Sequence, residues 1–250
     1  MIPAPALVIA LVIVGLVGVA VGSLVNVVVT RVPAQVPVAG GVRPRLVPLA
    51  TGIAFVGVVA WLLGSDLPGL GAADVGAASG WVAASLVLIA FLYLAAVSVA
   101  LVLIDLDVHR LPDVIVLPSY VVGVVLLGAA SLIEGDVAAV VRMLIGGAVL
   151  YLFYALLRLI QPGGMGGGDV KLAGVLGIHL GWVGWPALVI GGCAAFLFGG
   201  VFGVVLLVFR RATGKTRIPF GPWMIAGAWI GVIAGPALTA WYSGLTALTA

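Results

Sequence analysis

Charge is what this 250-residue sequence has least of, because only 8% of its residues are charged. Soluble domains carry about 25% charged residues, and a hydrophobic share of 64% is more than a soluble fold of this length can bury. Lipid must therefore be the solvent for most of the chain. The net charge of +3 is too small and too scattered to suggest nucleic-acid binding.

Cysteine is nearly absent as well, since the chain has only Cys193, which lies inside an apolar run. A single cysteine excludes a disulfide within the chain and a zinc site built from cysteines. We expect Cys193 to be buried as a small hydrophobic residue. The two histidines, His109 and His179, are predicted on opposite sides of the membrane, so the sequence predicts no metal site and no cofactor.

Long apolar runs are abundant, and about 20 apolar residues are enough to span a bilayer as a helix. The sequence predicts an all-α, polytopic membrane bundle of about eight transmembrane helices, forming one compact domain over residues 1–250. The predicted spans are 5–29, 46–64, 81–104, 114–133, 137–160, 170–184, 186–209 and 222–243. The first is interpreted as a retained helix, because no basic segment precedes it and no clear cleavage site follows it.

Loop charges alternate along the chain. All basic residues except Arg142 lie in or beside every second connection, and the positive-inside rule puts those connections in the cytoplasm. Both chain ends are then outside, and the basic residues of the seventh connection are expected to touch anionic lipid. Four acids fall in the outer connections and are interpreted as solvated loop residues: Asp66, Asp74, Glu134 and Asp136.

The other four acids lie at the predicted cytoplasmic edge, where carboxylates are costly unless they are paired or used. Asp105 directly ends a long apolar run, and Asp107 follows two residues later. Pro112 stops a helix, so we interpret Asp113 as the N-cap of the next one. Asp169 comes after a glycine-rich stretch and is predicted to begin the sixth span.

Residues 163–168 contain five glycines, which leave the backbone free to adopt positive φ and to approach a ligand closely. Taken alone, this stretch favours a flexible loop with Asp169 as an N-cap. Asp105 favours the functional interpretation, because the sequence then offers two carboxylates at equal depth on the same membrane face. An extended peptide could lie against the glycine-rich stretch beside them.

Two carboxylates brought close can share one proton. The ionised member can then take a proton from water while the protonated member polarises a peptide carbonyl, which is the chemistry of an aspartic peptidase. The serines lack a histidine or lysine partner at matching depth, so a serine peptidase is disfavoured. The alternative from another class is a proton-coupled transporter, whose acids usually lie nearer the midplane, often where repeats meet.

Four stretches resemble the type IV prepilin peptidase family of intramembrane aspartic peptidases with a Gly-x-Gly-Asp motif. They are residues 105–113, ending in Leu-Pro-Asp; 164–172, reading Gly-Met-Gly-Gly-Gly-Asp-Val-Lys-Leu; 218–222, containing Pro-Phe-Gly-Pro; and 22–33, where Gly-Ser-Leu-Val-Asn-Val precedes Arg-Val-Pro. The resemblance implies eight spans in the bacterial cytoplasmic membrane. It also implies an endopeptidase that removes the short basic leader of prepilin-like proteins at the cytoplasmic face.

The resemblance assigns catalysis to Asp105 and Asp169, without a cofactor. Asp105 is preferred to Asp107 because it is set at the membrane edge. Lys171 is interpreted as a snorkelling anchor that could also keep Asp169 ionised. Roles in shaping the site or holding substrate go to Gly166, Gly168, Asp107, Asp113, Lys171, Pro219 and Gly221. The expected partners are a prepilin-like membrane protein and membrane lipid, with no nucleic acid and no predicted oligomeric state.

One departure from the family concerns the connection over residues 30–45. In many members this loop is long and carries two Cys-x-x-Cys pairs that bind zinc, and those members methylate the new N-terminus using S-adenosylmethionine. Here the loop is short and has no cysteine, and the acid expected near Pro48 or Leu49 is absent. The sequence therefore favours a peptidase without N-methyltransferase activity.

Overall fold

The computed structural model of the chain describes residues 4–31, 43–64, 78–161, 165–209 and 219–249. This part of the chain contains eight α-helices and no strand, which confirms the predicted all-α bundle. The helices are α1 Ala4–Arg31, α2 Arg43–Leu63, α3 Ala78–Val108, α4 Asp113–Ile133, α5 Val137–Ile160, α6 Gly167–Val183, α7 Trp185–Val208 and α8 Gly221–Thr249.

Seven of these helices are long and apolar enough to cross a membrane, so the chain is a multi-pass membrane protein. The sixth differs from the others. Its 17 residues rise by about 26 Å, which is less than a hydrocarbon core of about 30 Å. Every residue of α6 from Leu172 to Trp182 is buried, so this helix is surrounded by protein rather than by lipid.

The contacts divide the chain into two compact units, Met1–Val108 and His109–Ala250. In the first unit, α1 packs on α2, and both helices also contact α3. Gly22 on α1 lies so close to Pro48 on α2 that a side chain there would collide with the proline backbone. The single-domain prediction is not tested by this division and stays a prediction.

In the second unit, α6 contacts α4, α5, α7 and α8. Its crossing with α5 is made by glycines: a Cβ added at Gly177 would collide with the carbonyl oxygen of Gly146, and one added at Gly147 would meet Ile178. Small residues let helix backbones approach closely, and packing of this kind drives helix association in lipid. The abundance of glycine in the sequence is thus partly explained by helix crossings.

The crossing of α7 and α8 decides where the single cysteine lies. Ala187, Gly191 and Ala195 recur every four residues on α7 and face the backbone of α8. Cys193 follows Gly191 by two residues, which turns it by about 200° from that face. It is exposed, so the predicted burial of Cys193 is wrong.

Arg142, the basic residue that departs from the alternating loop charges, forms a cap on α6. Its Nε donates to the Gly181 carbonyl oxygen at 2.7 Å, and its Nη2 donates to the Trp182 carbonyl oxygen at 2.8 Å. Carbonyls in the last turn of a helix lack partners within the helix and carry partial negative charge. The position of Arg142 is therefore explained by contact with α6 rather than by loop topology.

Replacing Arg142 with Leu is expected to lower the free energy of unfolding by about 1–3 kcal/mol, because two carbonyls would lose their donors. Thermal unfolding in detergent micelles measures the change. Arg158→Leu is the matched control. Arg158 is exposed near the end of α5, and its side chain forms no hydrogen bond or ion pair with the other residues that the structure describes. Equal unfolding midpoints for the two variants would contradict the capping role.

Candidate active site

The buried face of α3 continues to Asp105. Leu94, Ser98 and Leu101 recur at spacings of three or four residues and are at most 6% exposed, and Asp105 follows four residues later at 4% exposed. This spacing puts all four residues on one face of the helix. Burying a carboxylate is unfavourable unless other groups compensate, so a buried acid on an apolar face is a functional candidate.

Asp107 lies in a different environment. The helix continues to Val108, so the prediction that its span ends at Ile104 is wrong, and both acids are helical. A two-residue step turns the chain by about 200°, and Asp107 is only half-buried. The difference in burial favours Asp105 as the reactive carboxylate, and its catalytic role stays a prediction.

Asp169 is the third residue of α6, which begins at Gly167 rather than at Asp169 as predicted. Its Oδ2 accepts a hydrogen bond from the Gly166 backbone N–H at 2.9 Å. A carboxylate at this position reaches back over the first turn, which satisfies a backbone donor that the helix leaves without a partner. The bond holds the Asp169 side chain over the start of α6.

The glycines before Asp169 are used for close packing rather than for unusual backbone angles. Gly166 has an extended backbone with φ −73° and ψ 152°. Neither Gly167 nor Gly168 has a positive φ, so these three residues do not use the freedom of glycine to adopt positive φ. Gly163 and Gly164 lie outside the described residues.

Two neighbours account for the small residues at the start of α6. A Cβ at Gly167 would collide with the Arg158 guanidinium from the last turn of α5. A Cβ at Gly168 would collide with Leu111, in the segment between α3 and α4. Bulkier residues would therefore push α6 away from both neighbours.

The acidic stretch and the glycine-rich stretch meet at the start of α6. Leu111 packs against Gly168, and the Lys171 Nζ lies 2.8 Å from Asp113 Oδ1 and 2.7 Å from Oδ2. The predicted N-cap role of Asp113 is wrong, because Pro112 occupies the N-cap and the Asp113 carboxylate faces Lys171. Lys171 is therefore an ion-pair partner of Asp113 rather than only a snorkelling anchor.

The Pro-Phe-Gly-Pro stretch contributes an aromatic residue to the same unit. The Phe220 ring centroid lies 6.2 Å from that of Tyr154 on α5 and 5.5 Å from that of Phe196 on α7. Gly221 is buried and begins α8, and half-buried Pro219 precedes this cluster, while Ile218 lies outside the described residues. These contacts hold the start of α8 against α5 and α7.

Sequence reasoning missed Tyr154. The residue is 2% exposed, and its phenol lies within electrostatic range of the Asp169 carboxylate. A tyrosine in an apolar span is most often an interfacial anchor, so nothing in the run 137–160 distinguished Tyr154 from Tyr151. Only the packing of α5 on α6 brings Tyr154 towards Asp169.

Comparison with known proteins agrees with the motifs. Residues 92–208 match the type IV leader peptidase family, and this range includes both acidic motifs. Over these residues the chain is similar to the type IV leader peptidase family. The resemblance inferred from the motifs is thereby confirmed at the level of the family.

Curated relatives extend the similarity beyond that range. The chain is 40% identical to the prepilin leader peptidase/N-methyltransferase of Aeromonas salmonicida over 157 residues, which cover 62% of this chain and 52% of the relative. It is 34% identical to the protein of the same name from Pseudomonas aeruginosa over 206 residues, which cover 81% of this chain and 62% of the relative. It is 31% identical to the protein of the same name from Neisseria gonorrhoeae over 190 residues, which cover 76% of this chain and 57% of the relative.

The chain thus spans about half to three fifths of the length of the curated relatives that it matches. No solved structure matches the chain with statistical significance.

Proposed function

We propose that this protein is an intramembrane aspartic endopeptidase that removes the short basic leader from prepilin-like membrane proteins. The observation that carries the proposal is the junction of the two acidic motifs at the start of α6. There Leu111 packs on Gly168, and Asp113 pairs with Lys171, next to Asp169 in the chain. The buried carboxylate of Asp105 belongs to the first of these motifs. The family match over residues 92–208 supports the same chemistry.

In the proposed reaction, Asp105 and Asp169 share one proton. The ionised carboxylate takes a proton from a water molecule, whose oxygen attacks the carbonyl carbon of the scissile peptide. The protonated carboxylate donates to the carbonyl oxygen as charge develops there. Collapse of the tetrahedral intermediate breaks the C–N bond, and a carboxyl group returns the proton to the leaving amine. The net reaction consumes one water molecule and restores the singly protonated pair.

The positive-inside rule supports cleavage on the cytoplasmic side. The connection before α4 contains Arg110, and the start of α6 contains Lys171. The proposed substrate has its basic leader in the cytoplasm and its apolar segment in the membrane, so its cleavage site lies at this edge. We propose that the leader approaches this edge while its apolar segment contacts the lipid-facing helices.

We further propose that the chain acts without the zinc-binding loop and without N-methyltransferase activity. The names of the relatives include N-methyltransferase. A four-cysteine zinc site does not fit this chain, because its single cysteine is Cys193 on α7. In the described part of the chain no group of three or more His, Cys, Asp or Glu could hold a metal ion.

The positions of the carboxylates favour a peptidase over a proton-coupled transporter. Asp105 lies three residues before the end of α3, and Asp169 is the third residue of α6. Transporter acids usually lie near the midplane of a span. In proteoliposomes, we expect no proton uptake driven by a solute gradient.

Incubation of the purified full-length protein with a prepilin-like substrate tests the peptidase function. We expect a new N-terminus one residue after the glycine that ends the basic leader, identified by mass spectrometry of the product. A substrate with an unrelated secretory leader is the control and should stay intact. Cleavage of both substrates at equal rates would contradict the proposed specificity for prepilin-like leaders and would indicate a general signal-peptide peptidase. No cleavage of either by folded protein would contradict the peptidase function.

A further inference from the structure

The first turn of α6 needs outside support if Asp169 is to stay in place. Helix ends fray because their backbone donors lack partners within the helix. A misplacement of about 1 Å in a catalytic group can reduce a rate by about a hundredfold. Among the described residues, α4 makes two polar contacts with Lys171, two residues after Asp169 at the start of α6.

The first contact is the ion pair between Asp113 and Lys171. One ammonium nitrogen lies within 2.8 Å of both carboxylate oxygens, so the pair constrains the direction of the Lys171 side chain as well as its distance. Asp113 is the first residue of α4, and Lys171 is two residues after Asp169. The pair therefore connects the start of one helix to the start of the other.

The second contact is a hydrogen bond from the Tyr120 hydroxyl to the Lys171 backbone carbonyl oxygen at 2.6 Å. It acts on the backbone of α6 directly and does not depend on a flexible side chain. The Tyr120 ring lies directly over Gly174, where an added Cβ would collide with the hydroxyl oxygen. Glycine at this position therefore allows the phenol to reach the carbonyl.

These contacts contribute more to position than to stability. The side chains of Lys171 and Asp113 are 36% and 55% exposed, and ion pairs this accessible contribute little to the free energy of unfolding. The Lys171 carbonyl belongs to a helix whose core is already buried among four other helices. What the two contacts restrict is the movement of the first turn of α6 relative to α4.

We infer that Asp113, Tyr120 and Lys171 form an α4–α6 clamp that positions Asp169 for peptide cleavage. The inference rests on the proposed peptidase function and assigns Tyr120 a role in it. The three are positioning residues, because they act on Asp169 through the backbone of α6. Loosening the clamp would displace the Asp169 carboxylate, so we expect the loss in kcat rather than in KM.

Steady-state cleavage of a full-length prepilin-like substrate in proteoliposomes tests the clamp. Tyr120→Phe keeps the ring over Gly174 and removes only the hydroxyl. We expect kcat, expressed per folded molecule, to fall about tenfold, as a partial displacement would produce. KM should stay within about twofold, because Tyr120→Phe does not change how tightly the protein binds the substrate before the reaction. Tyr151→Phe, which removes an exposed hydroxyl from α5, is the matched control and should have the kcat of the unaltered protein.

The ion pair provides a second, independent test. Asp113→Asn should lower kcat, and the conservative Asp113→Glu should restore most of it, whereas a purely steric role would favour Asn over the longer Glu. Glu134→Gln, at an exposed position after α4, is the control for loss of one carboxylate. Because both contacts act on one turn, Tyr120→Phe and Asp113→Asn together should cost less than the product of their separate effects.

Three results would overturn the clamp. The first is an unchanged kcat in folded Tyr120→Phe and Asp113→Asn. The second is a rise in KM alone, which would make these residues substrate contacts. The third is a loss of folded protein with normal kcat in the remainder, which would make them purely structural. Asp169→Asn separates the two proposals. If Asp169→Asn is inactive while Tyr120→Phe is fully active, only the clamp is contradicted. If Asp169→Asn is active, the aspartic mechanism itself is contradicted.

Discussion

Protein carrying Asp169→Asn is expected to remove leaders about 10² to 10⁴ times more slowly than the unaltered chain, because it loses a carboxylate that carries protons during the reaction. An amide has nearly the same shape as a carboxylic acid, and its NH₂ and oxygen still form hydrogen bonds. The Asp169 bond to the Gly166 N–H can therefore be kept, since the amide oxygen accepts it. The measured quantity is the initial rate of leader removal per folded molecule.

The same loss is expected for Asp105→Asn. Asp105 is 4% exposed on the buried face of α3, and replacing it with a neutral amide removes charge without opening a cavity. The fold should therefore survive, and the variant should accumulate in the membrane as the unaltered protein does.

Asp107→Asn is the discriminating companion variant. Asp107 lies two residues further along α3 and is half-buried, so its loss should reduce the rate far less than Asp105→Asn. Glu134→Gln, in the connection after α4, is the neutral control. If Asp107→Asn abolished cleavage while Asp105→Asn remained active, the assignment of the first catalytic aspartate would pass to Asp107. If both single variants cleaved normally, the aspartic dyad would be wrong.

The second large effect is expected at the crossing of α5 and α6. A Cβ at Gly177 would collide with the Gly146 carbonyl oxygen and lie 2.9 Å from the Gly147 Cα. Both obstacles are backbone atoms, which cannot turn aside as a side-chain end can, so the helices must separate. Gly177→Ala is therefore expected to lower the free energy of unfolding by about 1–3 kcal/mol, the usual cost of overpacking.

A matched control is available on α7. A Cβ at Gly200 meets no atom within 4 Å, and the residue is exposed. Gly200→Ala should leave stability unchanged or raise it slightly, because alanine favours the helix more than glycine does. Thermal unfolding of both variants in the same detergent separates packing from helix propensity. A midpoint for Gly177→Ala equal to that of Gly200→Ala would mean that α5 and α6 cross elsewhere.

The helices of this protein follow from its sequence because lipid imposes a simple constraint. Backbone groups in a bilayer must be paired within the segment, so each long apolar run becomes a helix. The predicted run 137–160 coincides with α5, Val137–Ile160. Helix ends were predicted less well: α3 continues to Val108 instead of stopping at 104, since a carboxylate does not by itself end a helix.

The family also follows from the sequence, because its motifs are local strings of residues that need no tertiary contact to be read. The roles of individual motif residues do not. Asp113 after Pro112 has the pattern of an N-cap, yet the approach of α6 offers its carboxylate an ammonium group. The glycines before Asp169 have the pattern of a flexible loop, yet Gly167 and Gly168 are small because Arg158 and Leu111 lie against them.

The acids with which the prediction began remain the proposed catalytic pair. The sequence alone determined which acids these are, in what order they come and how far they lie from the ends of apolar runs. Their position at the membrane edge follows from the apolar runs, because the membrane solvates each segment separately. Only the tertiary structure decided that Asp105 is buried while Asp107 is half-buried, and that the Tyr120 hydroxyl donates to the Lys171 carbonyl, two residues after Asp169. Those facts depend on which helices pack together, and side chains far apart in the chain determine that packing.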